Sequence, residues 1–226
     1  MLPRQCSGTS SRGCEGEGTA GVQAPVWNCR IGTVSRPRQS LCRVAPSAII
    51  LCMSVVWVTG MSGSGKSSVC EALKDLGYRA IDADLEGFSF WVHRQTGEVA
   101  TDSPYPVPSG WLEEYAWRIS TARVQDLASS SRAGVTFLCG GVENEDEVRQ
   151  YFDVVVCLVV DDASIVARLA ERTTNAFGKH PEELAAVLAW NPSEADRYQK
   201  LGASIVDATR PLGEVVSDVL AAAGVR

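Results

Sequence analysis

Histidine is scarce in this chain, and the spacing that builds metal sites is missing. Only His93 and His180 occur. Each stands alone, which argues against a histidine-based metal centre. None of the eight cysteines forms a CxxC pair, so the pattern of a structural zinc site is absent as well. There is no excess of positive charge. The net charge of −6 argues against general attraction to nucleic acid or to an anionic membrane surface. No internal repeat is present. Long hydrophobic runs are also lacking. Residues 44–59 are nearly all apolar and follow a basic stretch, but a spanning helix needs about 20 residues. A signal peptide would not carry about 43 residues ahead of its apolar region. The expectation is a cytoplasmic protein with no membrane partner.

The composition divides unevenly. Residues 1–52 hold six arginines, no lysine and only Glu15 and Glu17 as acids, whereas the remainder is strongly acidic. Five cysteines (Cys6, Cys14, Cys29, Cys42 and Cys52) lie in this leading piece, irregularly spaced. The piece is rich in Gly, Ser, Pro and Arg and has no hydrophobic period, so it reads as a disordered extension. Met53 opens a strand-like MSVVWVTG seven residues before the most informative motif in the chain, so 1–52 also reads as a non-native leader. Residues 53–226 form the expected folded domain.

Within it, β-branched runs alternate with helical patterns. Strands are expected at 54–59, 78–82, 135–140, 153–160 and 203–208. Helices are expected at 66–76, 111–130, 143–151, 164–173 and 212–223. Residues 86–110 read as irregular, and 174–202 as a polar segment. Strands that are apolar on both sides and separated by helices imply an α/β fold. It would be a three-layer sandwich around a five-stranded parallel sheet. Cys70, Cys139 and Cys157 fall in apolar segments and read as small core residues.

The segment GMSGSGKS, residues 60–67, matches G-x-x-x-x-G-K-[ST] and sits between an expected strand and an expected helix. Glycine permits the tight turn that brings backbone N–H groups onto phosphate oxygens. The helix starting near Gly65 points its positive end at the same anion. The nucleotide-binding set is therefore Gly60, Ser62, Gly63, Ser64, Gly65, Lys66, Ser67 and Ser68. Lys66 reaches the β- and γ-phosphates of ATP, and the Ser67 hydroxyl holds Mg2+.

With IDAD at 81–84, CGG at 139–141 and DATRPLGEVV at 207–216, the motif resembles the P-loop small-molecule and nucleoside-monophosphate kinases. Shikimate kinase and gluconate kinase are nearest in pattern, within a group that includes adenylate kinase. The resemblance covers about residues 53–223 and implies the P-loop nucleoside triphosphate hydrolase fold. It implies ATP-dependent transfer of the γ-phosphate to a shikimate-, sugar acid- or nucleoside-like acceptor. Asp82 would help hold the water shell of Mg2+, and Asp84 would contact the acceptor hydroxyl and act as base. Two carboxylates at i and i+2 leaving a strand point the same way, which suits that pairing. Gly140 and Gly141 would approach the acceptor. Arg172, with Arg168 beside it, would come from a lid at about 172–192. Thr209 and Pro211 would lie in the loop that packs on adenine.

The acceptor region, about 86–130, departs from the shikimate kinase pattern, since that family's acceptor arginines are not found in order. Here Phe88, Phe90, Trp91, Tyr105 and Trp111 offer ring faces, and His93 and Arg94 offer an anchor for an anionic group. A second reading is a P-loop ATPase or nucleotide-sensing module without a small-molecule acceptor. Against it, no apolar strand ends in the Asp-Glu pair of a motor ATPase. A nucleic-acid adaptor fits the acidic core least.

Overall fold

In the computed structural model, which describes residues 54–102, 104–130 and 134–225, a strand with no charged residue lies at the centre. This is β1 (Ser54–Gly60), whose side chains are buried on both faces. The expectations for the 1–52 extension, its five cysteines and Met53 lie outside the described residues. Around β1, all parallel, stand β2 (Arg79–Asp82), β5 (Val135–Cys139), β6 (Val154–Val159) and β7 (Ser204–Asp207). The strand order is β2-β5-β1-β6-β7. This is the five-stranded parallel sheet expected from the apolar runs.

Alternation along β1 divides the core in two. Val56 and Val58 face a cluster completed by α1 (Lys66–Asp75) and α7 (Leu212–Ala222), through residues such as Leu73 and Val216. Val55 and Trp57 face the other cluster, which includes Val124 and Leu127 of α3 (Thr121–Ser130). Each fully buried valine contributes about 1.5–3 kcal/mol relative to exposure. Cys70, Cys139 and Cys157 are buried free thiols within these layers. No helix among the described residues is long and apolar enough to cross a membrane.

Two segments differ from the sequence-based expectation. The single helix over 111–130 is instead α2 (Trp111–Glu114), β4 (Tyr115–Ile119) and α3. β4 pairs antiparallel with β3 (Ser89–His93), setting Trp117 opposite Trp91 in a two-stranded ribbon. Residues 86–110 are therefore not wholly irregular. The buried amide of Asn144 extends the strand-like pairing. Its Oδ1 accepts from Ile119 N at 2.9 Å and its Nδ2 donates to Ile119 O at 3.1 Å. Tertiary pairing here outweighs a helix-compatible local spacing.

The polar segment 174–202 holds the longest helix among the described residues, α6 (Pro181–Lys200). Pro181 stands at its first turn, where a missing N–H costs nothing. Two of its buried residues, Glu183 and Glu194, are acids, and these disguised its inward face. The short acidic helix near 143–151 is α4 (Glu145–Val148), followed by a 3-10 turn. The remaining helix is α5 (Asp162–Glu171), capped by Asp161 accepting from Ser164 N at 2.7 Å.

Candidate active site at the carboxyl edge of the sheet

β1, β2 and β5 end together. Register pairs Val58 and Asp82 with Cys139, so the loops that follow converge on one edge, where open α/β sheets bind ligands. After β1 the chain wraps into the GMSGSGKS loop. Gly60, Gly63 and Gly65 take φ values of 141°, 87° and 100°. α1 then begins at Lys66 with no side-chain cap, so its first amides are available to an anion. Ser67 and Ser68 are exposed in that first turn. The Ser64 hydroxyl is buried and has no partner among the described residues.

Lys66 curls over its own loop. Its Nζ donates to Gly60 O at 2.7 Å and Met61 O at 2.9 Å. Burial lowers its pKa, while Asp84 and Glu194 pull it back up. The ammonium is thus held in place but under-solvated, a state that a triphosphate relieves.

Asp82 is buried, and its Oδ1 accepts from the amides of Asp84 at 3.1 Å and Leu85 at 3.2 Å. This turn sets Asp84 on the wall of a cavity of about 840 Å3 that Gly60, Met61, Ser62 and Lys66 also line. Asp84 Oδ1 accepts from the Trp117 indole N–H at 3.2 Å. Although Asp84 keeps solvent contact, burial in the surrounding protein raises its pKa. The charge on Lys66 opposes the shift and Asp82 adds to it.

The CGG turn packs tightly. A Cβ on Gly140 would lie 2.6 Å from Ala83 Cβ, and one on Gly141 would lie 2.9 Å from Gly60 O and 3.7 Å from Lys66 Nζ. Gly141 lines the cavity. Gly140 is behind it, with its carbonyl accepting from the Trp57 indole at 2.8 Å.

On the other side of the loop, Arg168 donates to Ser64 O at 3.3 Å and to Ala208 O at 2.7 Å. It thereby ties the phosphate loop to the turn after β7. In that turn the Thr209 hydroxyl and amide both bond Asp207 Oδ1, at 2.6 and 2.9 Å. These bonds hold the Asp207 carboxyl below its ordinary pKa. Pro211 stands at the N-cap of α7. Arg172 caps the end of α5 and is turned onto the following loop, bonding Asn175 O at 3.1 Å and Phe177 O. Burial lowers its pKa, and Asp84 and Glu183 oppose that.

Glu183, Glu194 and Trp117 were not anticipated as groups of the site. Glu183, fully buried, accepts from Val107 N at 2.9 Å and Gly178 N at 2.8 Å, joining the 104–110 loop to the 172–180 loop. Glu194 and Arg197 also line the cavity. Arg197 bonds Glu145 at 3.0 Å and Glu194 at 3.5 Å. Burial raises the pKa of both carboxyls, and the Arg197 charge opposes it. Trp117 escaped notice because it sat in an expected helix; its alternation with Tyr115 was the available signal. Of the expected ring residues, Trp91 and Tyr105 line the cavity. Phe88 is core, and Trp111 stacks on Tyr115 at 3.9 Å. His93 Nδ1 accepts the backbone amides of Gln95 and Thr96. Arg94 is paired with Glu143 at 2.6 Å.

A family model described as an AAA domain matches residues 56–188. The chain belongs to this AAA domain family. A search of curated proteins finds no match. Among solved structures, this AAA domain protein is similar to shikimate kinase from Acinetobacter baumannii in complex with shikimate. The TM-score is 0.50 and the identity 16%, covering 75% of this chain and 92% of that one. Shikimate kinase from Bacteroides thetaiotaomicron gives a TM-score of 0.50 at 17% identity, covering 76% of this chain and 99% of that one. A gluconokinase from Sinorhizobium meliloti 1021 is 25% identical, with a TM-score of 0.46, covering 76% and 92%. At these identities the two shikimate kinases establish a shared P-loop kinase-like fold, and the gluconokinase adds no weight.

Proposed function

We propose that this protein is an ATP-dependent kinase that transfers the γ-phosphate to a hydroxyl of a small molecule. The observation that carries this reading is that Lys66 and Asp84 open onto one cavity of about 840 Å3. Bound triphosphate would lie against the amides from Ser62 to Ser68, with Lys66 swung from its own carbonyls onto the β- and γ-oxygens. Arg168 and the Thr209–Pro211 turn would flank the nucleoside. The residues present suit Mg2+. Ser67 is exposed beside the loop, and Asp82 has no bond to Oδ2 among the described residues. The ion would neutralise charge between the β- and γ-phosphates.

The acceptor would enter from the cavity side, with its hydroxyl on Asp84. Its oxygen forms a bond to the γ-phosphorus as the bond from that phosphorus to the β-bridging oxygen breaks. The electron pair leaves with ADP, and the hydroxyl proton passes to Asp84 and then to solvent. Trp117 fixes the carboxylate's orientation. Gly141 leaves room for the transferring group beside Lys66, where a side chain would intrude. Arg172 would turn from Asn175 and Phe177 to the phosphates as the loop closes.

The test is acceptor-dependent ADP release across sugars, cyclitols and nucleosides. A rate that no acceptor changes would sink the kinase reading and favour a P-loop ATPase or nucleotide-sensing module. Lys66→Ala should weaken ATP binding at least about tenfold. Unchanged affinity would remove the loop from the site.

A further inference from the structure

The charges around the cavity are unevenly matched. Asp84, Glu113, Glu143, Glu182, Glu183 and Glu194 line it, against only Lys66, Arg94 and Arg197. None of the three cations is left to receive an acidic acceptor. Lys66 belongs to the phosphate loop. Arg94 is held by Glu143 at 2.6 Å and donates to Leu112 O at 3.2 Å. Arg197 lies between Glu145 and Glu194. From the adjoining loop, Arg172 bonds Asn175 O and Phe177 O, and Lys179 Nζ donates to Ala170 O at 3.4 Å. His93 is outside the lining, with Nδ1 engaged by backbone. Two of the acids are also buried, Glu183 fully and Glu194 at 5% exposure, so their fields are poorly screened inside the cavity.

The same walls carry aromatic surface. Trp91 packs edge-on against Trp117 at 5.1 Å and tilted against Phe177 at 6.3 Å, and all three line the cavity. Tyr105 and Trp190 stand at its rim, 55% and 41% exposed. Such faces take the apolar side of a sugar or cyclitol ring, and they attract an ammonium group through the ring quadrupole.

We propose that the acceptor is a polyhydroxylated ring that carries no anionic group and is favoured by an amine. Carboxylated and phosphorylated ring alcohols are rejected by the excess of acids over bases in the cavity lining. This inference rests on the kinase reading and narrows it away from the acidic acceptors that the sequence resemblance implies. Negative charge placed here meets six lining acids against three bases, and Arg94 and Arg197 are already engaged by carboxylates. An amine meets Glu182 or Glu113, which have no ion-pair partner among the described residues, and the indole faces instead. At an effective dielectric near 20, one such charge within several ångströms separates the two classes by at least about tenfold.

The experiment measures kcat/KM by ADP release for matched triplets of acceptors: sugar acid, parent sugar and amino sugar, and likewise for cyclitols. ATP binding is followed separately with a fluorescent nucleotide. The expected order is amine, then neutral, then acid, with the acid at least about tenfold below the neutral compound. Preference for the acid over its neutral partner overturns the inference and leaves the kinase reading standing. ATP binding without turnover of any triplet overturns both. Glu143→Gln supplies a second readout. Its side-chain carbonyl can still accept from Trp117 N, as Glu143 Oε1 does at 3.0 Å. Arg94 is released, so the acid-to-neutral ratio should rise about five- to tenfold while ATP affinity is unchanged. A ratio that stays put in the folded variant counts against charge as the selector.

Discussion

Asp84, the base in the proposed mechanism, is destabilised by its place. Burial raises its pKa above the ordinary carboxylate value, with Lys66 only partly offsetting. A base works when ionised, so turnover should fall as pH drops, with the acid limb centred above the usual aspartate value of about 4. Asp84→Asn should abolish that limb and lower kcat about 10²–10⁴-fold, leaving ATP affinity unchanged. Stability runs the other way. A carboxyl whose folded pKa is raised is costly while ionised, and the cost is relieved as pH falls through the folded pKa. Asp84→Asn should therefore raise Tm at pH 7, and a lower Tm would contradict that reading. Gly140 makes a purely steric prediction. Its added Cβ would lie 2.6 Å from Ala83 Cβ, so Gly140→Ala should cost about 1–3 kcal/mol in urea unfolding. Tolerance of that methyl without loss would mean that the turn and Asp82–Asp84 are not packed as described.

Among the elements, α6 and the β3–β4 ribbon shape the cavity, and one side chain joins their neighbourhoods. Glu183 receives Val107 N from the 104–110 loop and Gly178 N from the loop after α5. Glu183→Ala leaves two buried amides unpaired, at about 1–3 kcal/mol each. Limited proteolysis should then cut within 104–110 or 172–180, and acceptor KM should rise more than the Kd for ATP. Equal loss of both would reduce Glu183 to a general stabiliser. These are also the elements that sequence patterns concealed. WLEEYAWRIS has spacing compatible with a helix, and its strand partner SFWVH lies more than twenty residues earlier in the chain. α6 reads as polar because Glu183 and Glu194 point inward, where pattern reading expects apolar residues.

For the whole molecule, the expected consequence of nucleotide binding is thermal stabilisation. ADP at about one hundred times its Kd adds about 2.7 kcal/mol. For a domain of this size that raises Tm by about 5–10 °C. Lys66→Ala should lose most of that shift at the same ADP concentration. The sequence alone determined the parallel sheet, because its strands are apolar on both faces and each run is punctuated by a turn or helix. It also determined the phosphate loop, because glycine, lysine and serine at fixed spacing act through adjacent backbone and require no distant partner. Only the tertiary structure decided what surrounds Asp84. Trp117, Glu183, Glu194 and the Arg94–Glu143 pair come from separate segments, and each takes its role from a neighbour that local spacing cannot specify. The charge and shape of the cavity arise from those long-range pairings, so the acceptor class could be argued only once the chain had folded.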